Sequence, residues 1–447
     1  MLFDILTLSG LPQFSKYKSR VLAAGGTLID ESYTKAQIVA LKNSGLYDKA
    51  SLITIPGAGK SGTLFNLKPS NADFSFSRNS VKWVLGKSGL LEQVAANVPA
   101  FEYDAATGRY NLLMEPQRTN LIQRSSDFST YWTISNRMSI QTNAAISPDG
   151  VINATKMKCD STAANTHFLF LVAFAITSGA YYTYSFYLKA AELSWVRMRM
   201  DATTTKQAYF NIAAGTIGTV SAGVTATITH VGYGWYRCSI SAVSDGATAS
   251  LKLYLAQGDN NDTFDGDGNS GIYIWGAQME AGAYQSSYIQ TSGSTVTRLV
   301  DYTIISGLQS KGLITPNNFT FFVDINVIAR DNAGSNTQLI FETSSSEDVF
   351  GIQFNKLNPS QKSGYYFTSA QAIGSFTSGD KVAVSYGGGV CKVFVAGVLI
   401  GQASINLSTI DVLHTNSTSW LSNALMRQMA FFTTTLTDSE CITLTTP

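Results

Sequence analysis

Alternating apolar and polar residues dominate the chain from about residue 83 onward. In the segment 195–201, Val196, Met198 and Met200 fall on one face and the charged residues fall on the other. Other faces of this kind consist of Tyr182, Tyr184, Phe186 and Leu188, and of Leu251, Leu253 and Leu255. A period of two predicts antiparallel strands that are buried on one side.

The first 70 residues follow a helical period instead. Tyr17, Val21 and Ala24 recur at helical spacing, and a second helix is predicted to begin at Thr34 and to end before Gly45. Both helices are short and weakly apolar, so each requires a partner surface. We interpret this region as a small helical docking unit.

These patterns predict a mainly β protein, in which a small N-terminal helical unit precedes two antiparallel β-sandwiches of jelly-roll or concanavalin-like type. A second alternating region opens at Phe319 and closes near Glu440, with the boundary between the sandwiches at 306–315. The predicted domains are residues 1–75, 76–305 and 315–447.

The segment 112–121 combines an apolar run, a proline and two opposite charges. Pro116 favours an extended conformation at Glu115 and ends the run there. The Arg118 guanidinium can reach back to Glu115 or donate to backbone carbonyls. Because such charges usually fix geometry, we expect a structural role for Arg78, Glu115, Arg118 and Glu280.

The near-neutral net charge and the short apolar runs argue against two partners, nucleic acid and the membrane interior. The chain has 31 basic and 30 acidic residues, and only 14% of its residues are charged. We therefore expect no nucleic-acid partner. The longest apolar run, residues 168–176, is too short to cross a bilayer, and no signal peptide is indicated at the amino terminus, so we expect no membrane insertion.

The four cysteines, at positions 159, 238, 391 and 441, are widely spaced. No CxxC pattern is present, so zinc or redox chemistry is not indicated. The spacing leaves a pairing of Cys159 with Cys238 open.

Calcium is the cofactor that the acidic residues bring into question. Four carboxylates lie within nine residues, at Asp259, Asp262, Asp265 and Asp267, and they are the hard ligands that calcium prefers. The EF-hand template fails because Ser270 stands where its glycine belongs. A hairpin loop without metal would have the same composition, so we predict no cofactor and keep calcium as an alternative.

Catalytic motifs are weak. His167, His230 and His414 stand alone, and no GxSxG motif is present. Glu280 paired with Asp301 or Glu115 is a nominal carboxylate pair for glycoside hydrolysis. In a chain so poor in acids, we expect no enzymatic activity and no catalytic residue.

Sugar binding requires an aromatic platform beside polar side chains. Tryptophans and tyrosines in the predicted strands and loops are the candidates. We select Trp132, Trp235, Tyr365 and Trp420 as glycan-binding residues. Trp275, in an alternating strand, is expected in the core or at a subunit interface.

Several segments carry a family resemblance. Residues 76–80, 89–104 and 112–121 resemble the beginning of a module in tailed-phage virion proteins, and residues 266–280, 287–291 and 296–298 resemble its end. Modules of this family resemble carbohydrate-binding β-sandwiches and recur in phage head spikes, head fibres and tail fibres. Ala100 departs from the pattern, since many relatives place an arginine there.

The last unit is similar to concanavalin-like or laminin-G-like sandwiches. Residues 392–400 resemble the strand–NG–strand hairpin of that family, with Ala396 in place of asparagine. Residues 429–440 resemble its closing strand and short helix. This resemblance implies a fold rather than a ligand.

Together the resemblances imply a phage virion structural protein, a spike or fibre subunit on the particle surface that attaches to host-surface glycan. They imply a homotrimer, assembled in the host cytoplasm and joined to other virion proteins through the N-terminal unit. Two alternatives remain. One is a capsid or head decoration protein without a receptor role, and the other is a surface-polysaccharide hydrolase.

Overall fold

The computed structural model confirms a mainly β protein with a small helical segment near its amino terminus. It describes residues 12–24, 27–28, 30–43, 47–54, 58–60, 63–64, 74–135, 137–330, 337–342, 350–355, 363–367, 371–376, 381–404, 410–415 and 422–446. None of the helices in these ranges has the length and hydropathy that crossing a bilayer requires.

Two helices and ten short strands precede residue 121. They are α1 (Pro12–Ala23), β1 (Thr27–Leu28), α2 (Glu31–Asn43), β2 (Ala50–Thr54), β3 (Ala58–Lys60), β4 (Thr63–Leu64), β5 (Phe74–Ser77), β6 (Lys82–Leu85), β7 (Leu91–Val94), β8 (Phe101–Asp104), β9 (Arg109–Met114) and β10 (Arg118–Asn120). Helix α2 begins at Glu31, and Thr34 lies inside it with its hydroxyl donating to the carbonyl of Asp30 at 2.9 Å. The predicted start at Thr34 is therefore wrong.

The middle of the chain consists of strands of up to eleven residues. They are β11 (Thr133–Ile134), β12 (Met138–Ile146), β13 (Ile152–Cys159), β14 (Asn165–Thr166), β15 (Phe168–Ala175), β16 (Tyr181–Ala190), β17 (Trp195–Asp201), β18 (Thr205–Asn211), β19 (Thr216–Val220), β20 (Val224–Gly232), β21 (Trp235–Val243), β22 (Thr248–Ala256), β23 (Thr263–Phe264), β24 (Gly271–Ala281) and β25 (Val296–Arg298).

The last part of the chain returns to strands and ends in a helix. Its elements are β26 (Tyr302–Ser306), β27 (Asn318–Arg330), β28 (Thr337–Glu342), β29 (Phe350–Asn355), β30 (Ser363–Phe367), β31 (Gln371–Phe376), β32 (Lys381–Gly387), β33 (Val390–Val395), β34 (Val398–Ser404), β35 (Val412–Thr415), β36 (Ser422–Phe432) and α3 (Asp438–Thr445).

The middle strands form a sandwich of two six-stranded antiparallel sheets, which we name the central sandwich (133–281). Its front sheet has the order β12-β13-β24-β16-β21-β20, and its back sheet has the order β11-β15-β22-β17-β18-β19. The alternating faces predicted from the sequence meet between the sheets. Phe186, Met198 and Leu253 are all fully buried in that core.

The two ends of the chain share a second sandwich, which we name the terminal sandwich (27–114 and 302–432). One sheet has the order β1-β3-β4-β5-β26-β35-β28-β29-β30-β31, and the other has the order β34-β33-β32-β27-β36-β9-β8, with β2 also on β36. Its core joins residues distant in sequence, such as Phe74, Leu112 and Phe321. The predicted borders at 75 and 315 do not coincide with the borders of these sheets, because β5, β8, β9 and β26 all belong to the terminal sandwich.

The helices cover the outer face of the sheet that contains β36. Phe14, Tyr17 and Val21 of α1 pack with Phe322 and Phe432 in one apolar cluster. The apolar face that the sequence analysis assigned to docking is thus occupied by the chain's own sheet.

The C-terminal hairpin and helix match the predicted elements. Ala396 and Gly397 connect β33 to β34 with φ angles of 48° and 79°, which is the left-handed conformation of a two-residue hairpin turn. Helix α3 begins after Thr437, whose side chain forms a capping box with Glu440.

We predict that α1 contributes to stability through Val21. This side chain is fully buried, whereas the neighbouring Leu22 is 53% exposed. Val21→Ala should lower the free energy of unfolding by roughly 1–3 kcal/mol, because it leaves a small cavity, and Leu22→Ala should change it by less than about 0.5 kcal/mol. Urea unfolding followed by circular dichroism measures both, and equal effects would contradict this packing.

Candidate functional site

The chain crosses between the two sandwiches twice, and both crossings meet at one place. Strand β10 on the way out pairs with β25 on the way back, with Arg118 opposite Arg298. The amide of Asp301 donates to the carbonyl of Glu115 at 3.0 Å. The two connections are therefore held side by side.

Five buried charges occupy this crossing, and we name them the junction cluster: Arg78, Lys82, Glu115, Arg298 and Asp301. Each has an exposed fraction of 1% or less. Asp301 accepts from Arg78 Nη1 at 2.9 Å and from Lys82 Nζ at 2.6 Å. Glu115 Oε2 lies 2.9 Å from Lys82 Nζ and 2.7 Å from Arg298 Nη1.

Backbone groups complete the junction cluster. Lys82 Nζ donates to the carbonyl of Leu113 at 2.8 Å, and Arg298 Nη2 donates to that of Pro116 at 2.6 Å. Burial alone would raise the pKa of Glu115, but Arg298 and Lys82 outweigh it and hold the pKa well below its ordinary value. The carboxylate thus stays ionised inside the protein.

The predicted Glu115–Arg118 pair resolves into two separate interactions. Arg118 donates from Nη1 to the carbonyl of Gln117 at 3.0 Å, and its Nε lies 3.7 Å from Glu280 Oε2. Glu280 also accepts from the amide and hydroxyl of Ser286 at 2.8 and 2.6 Å. Glu280 therefore fixes the loop that follows β24.

A cavity of about 210 Å³ lies beside the junction cluster, between hairpin β6–β7 and the outer face of the front sheet. We name it the junction pocket. One water requires roughly 10–15 Å³ measured in this way, so the pocket has room for a small ligand group. Its aromatic and ionisable lining residues are Trp83, Glu102, Glu115, Tyr187, His230, Arg237 and Tyr288.

The strand period explains how these side chains reach the junction pocket. In β21, Cys238 and Ile240 point into the central core, so Arg237 points to the other face. In β8, Phe101 faces the terminal core and the following residue, Glu102, faces the front sheet. Each sandwich therefore supplies one side of the pocket.

Gly276 allows the aromatic wall to pack closely. It lies in β24 with a φ of 63°, and a Cβ there would come within 2.7 Å of the Tyr187 ring. The ring of Tyr187 packs 5.9 Å from that of Tyr288, edge to face. A larger residue at this position would displace the wall.

Three polar atoms of pocket-lining residues are buried without a hydrogen-bond partner among the described residues. They are Trp83 Nε1, Arg237 Nε and Gln285 Oε1. Buried polar groups in proteins are normally satisfied. These two donors and one acceptor are enclosed in the wall of the pocket, since each atom is almost wholly buried.

Glu102 has an unusual protonation state. Burial raises its pKa from 4.5 to about 7, and the negative charge of Glu115 contributes in the same direction, against opposing effects of Lys82 and Arg237. Near pH 7 the pocket therefore holds one carboxyl that is about half protonated, Glu102, and one ionised carboxylate, Glu115.

The structure does not bring together the four aspartates of the calcium alternative. They bind separate donors: Asp259 accepts from Thr219, Asp262 from Arg197 and Tyr209, Asp265 from Ala164, and Asp267 from Asn269 and Ser270. Within the described ranges, no three acidic, histidine or cysteine side chains converge in a way that could hold a metal ion. The cysteines at 159, 238, 391 and 441 are all buried and free, so the pairing left open does not form.

Two of the four aromatic predictions are also wrong. Trp132 is 5% exposed with its indole donating to the carbonyl of Arg124, and Trp235 is 1% exposed with its indole donating to that of Ile146. Both are satisfied core residues. The side chain of Tyr365 and the whole of Trp420 lie outside what the structure describes.

Trp83, Glu102 and Arg237 were not predicted from the sequence as site residues. The sequence does contain a feature that could have identified Arg237. Strand β21 carries small or apolar residues on both faces and one arginine among them. A strand buried on both sides with a single cation is a candidate for a buried site. No comparable signal marks Glu102.

The solved structures that resemble this chain resemble it only weakly. No protein-family model matches the sequence, and no curated protein matches it. Domain 4 of AbnA, a GH43 extracellular arabinanase from Geobacillus stearothermophilus solved with arabinotriose, is 12% identical with a TM-score of 0.27, over 36% of this chain and 82% of that one.

Two further solved structures are similar at the same level. Trypanosoma rangeli sialidase with 2,3-difluorosialic acid is 10% identical with a TM-score of 0.26, over 65% of this chain and 60% of that one. A putative carbohydrate binding protein from Bacteroides ovatus ATCC 8483 is 12% identical with a TM-score of 0.22, over 60% of this chain and 80% of that one. This chain thus spans less than two thirds of the sialidase.

These neighbours are carbohydrate-binding or carbohydrate-cleaving proteins, and similarity this low transfers neither ligand nor activity. They do contradict one expectation. The arabinanase and the sialidase are enzymes, so the prediction of a non-enzymatic protein is corrected and withdrawn.

We predict that the junction cluster is essential to stability. Asp301→Asn should lower the free energy of unfolding by about 3–5 kcal/mol, because it leaves Arg78 and Lys82 short of negative charge in a buried site. Asp201→Asn, in a partly exposed ion pair with Arg199, should cost about 1 kcal/mol or less. Chemical unfolding compares the two, and a mild effect of Asp301→Asn would contradict this assignment.

We predict a pH-dependent effect of Glu102→Gln. The pKa of Glu102 in the folded protein is about 7 against an ordinary 4.5, so its favourable contribution is present below pH 4.5 and is lost as the pH rises through 7. Relative to the wild type, the free energy of unfolding of the glutamine variant should rise by on the order of 3 kcal/mol between pH 4 and pH 8.

Unfolding free energies at several pH values measure this gain. The same substitution at the exposed Glu92 of the neighbouring strand is the matched control. An identical pH profile for wild type and Glu102→Gln would show that Glu102 has an ordinary pKa.

Proposed function

We propose that the protein binds a glycan in the junction pocket and presents this site on the surface of a virion. One observation carries the binding proposal. Aromatic side chains and charged or polar side chains line the same cavity. Small-ligand sites typically combine apolar walls with a few polar groups in this way.

The chemistry of the walls suits a sugar. A sugar ring has an apolar face that can pack against an indole or phenol, and hydroxyls that donate and accept. Trp83 offers an indole ring, Tyr187 and Tyr288 offer phenol rings, and Arg237 and Gln285 are polar side chains of the wall. The protonated form of Glu102, which predominates below about pH 7, adds a further donor.

The virion assignment rests on the resemblance of residues 76–301 to phage virion modules. In this proposal the protein is a spike or fibre subunit, a homotrimer that other virion proteins hold on the particle. Multiple copies would raise the strength of weak sugar contacts. A decoration protein without a receptor role is the alternative within the same assignment.

Glycoside hydrolysis is the second candidate function, and one observation favours it. The pocket holds a carboxyl with a raised pKa and a carboxylate with a lowered one, which is the division of states that an acid and a nucleophile require. It ranks second because Glu115 already accepts from Ser287, Arg298 and Lys82.

We predict that Trp83→Ala abolishes or greatly weakens glycan binding. The test is a glycan array followed by calorimetry with the strongest glycan. Loss of the aromatic contact should weaken binding by roughly tenfold or more, the equivalent of about 1.4 kcal/mol. Trp195→Ala, in the back sheet away from the pocket, should bind as the wild type does.

Further measurements distinguish the candidate functions, which are glycan binding, glycoside hydrolysis and decoration. Binding of no glycan, or equal binding by the Trp83 and Trp195 variants, would contradict the proposed pocket. Release of reducing sugar from a bound glycan, lost in Glu102→Gln, would favour the hydrolase over the binding protein. Particles that infect normally without the subunit would favour decoration.

A further inference from the structure

Arg237 differs from the other buried basic side chains. In the described structure, Arg78, Lys82, Arg118, Lys156 and Arg298 are buried and have a carboxylate oxygen within 4.0 Å. Arg237 is 6% exposed and no described carboxylate lies within that distance. A buried cation is normally paired with an anion.

The neighbours of Arg237 orient it without neutralising it. Its Nη1 donates to the carbonyl of Ser286 at 2.6 Å and its Nη2 donates to Ser185 Oγ at 3.2 Å. The guanidinium carbon lies 5.1 Å from the centre of the Tyr187 ring. All three partners are uncharged, and Nε has no partner in the described part of the chain.

The carboxylates nearby do not supply the missing charge. Glu115 is already shared between Lys82 and Arg298. Glu102 lies within electrostatic range of Arg237, but the two form no ion pair, and burial keeps about half of Glu102 protonated near pH 7. The junction cluster itself holds three cations and two carboxylates, so it adds no net negative charge.

We propose that the glycan of the junction pocket is acidic and that its carboxylate pairs with Arg237. The sugar class is therefore one that carries a carboxylate, a uronic or other acidic sugar. The inference rests on the proposed function, since it names the ligand class of the same pocket. Arginine is suited to this role because its planar fork recognises carboxylates.

The negative charge of ionised Glu102 leads to a second consequence, which is that acidic-ligand binding should depend on pH. When Glu102 ionises above neutral pH, it repels an anionic ligand at Arg237. The other charged or titratable groups around Arg237 and Glu102 are Glu115, Lys82, His230, Tyr187 and Tyr288 at the pocket wall, and Glu280 beside Tyr187. Removing the Glu102 charge should therefore strengthen acidic-ligand binding at pH 8.

The test is an array of oligosaccharides with and without acidic sugars, probed with the full chain. The wild type should bind acidic glycans at least tenfold more strongly than their neutral counterparts. Arg237→Gln should remove that preference, and Arg237→Lys should restore part of it. Arg199→Gln, in the back sheet, is the matched control for loss of a positive charge and should keep the preference.

A second measurement looks for a gain of affinity, because a variant that folds poorly can only lose binding. At pH 8, Glu102→Gln should bind the strongest acidic glycan about threefold more tightly than the wild type does, and at pH 5 the two should be equal. Preferential binding of neutral glycans, with Trp83 still required, would overturn this inference and leave the proposed function standing. Binding of no glycan would overturn both.

Discussion

Charge pairing inside the junction cluster is the constraint on which the rest of the structure depends. Three cations and two carboxylates are removed from water together, and each has an opposite charge within 2.9 Å. Arg78 and Lys82 come from the terminal sandwich, whereas Arg298 comes from the strand that leaves the central sandwich. The cluster therefore joins the two sandwiches at their crossing point.

The junction pocket follows from this arrangement. Lys82 begins strand β6, and the next residue in that strand, Trp83, lines the pocket. Glu115 belongs both to the cluster and to the pocket wall. A rigid ionic crossing thus holds an aromatic side chain of one sandwich against the front sheet of the other, and a site shared between two units depends on such positioning.

Local patterns in the sequence predicted much of the fold. The alternation at Val196 and Leu253 identified faces that are buried in the central core, because a strand buried on one side must alternate. The turn at Ala396 and Gly397 was also predictable. The pairing of β5 with β26 and of β9 with β36 was not, since these partners lie more than 200 residues apart and local periodicity carries no information on them.

The site was harder to predict for the same reason. Asp262 looked like a calcium ligand in the sequence, but it pairs with Arg197 from a distant strand. Trp235 looked like a sugar platform, but its indole is satisfied inside the protein. Glu102 gains its raised pKa from burial and from Glu115, and both arise only when two sandwiches pack together.

The most direct test of the account is the structure of the full chain with a glycan selected on the array. The account predicts one sugar residue in the junction pocket, in contact with Trp83 from the terminal sandwich and with Arg237 from the central sandwich. A glycan bound on the back sheet or on the terminal sandwich, with no ligand in the junction pocket, would contradict it.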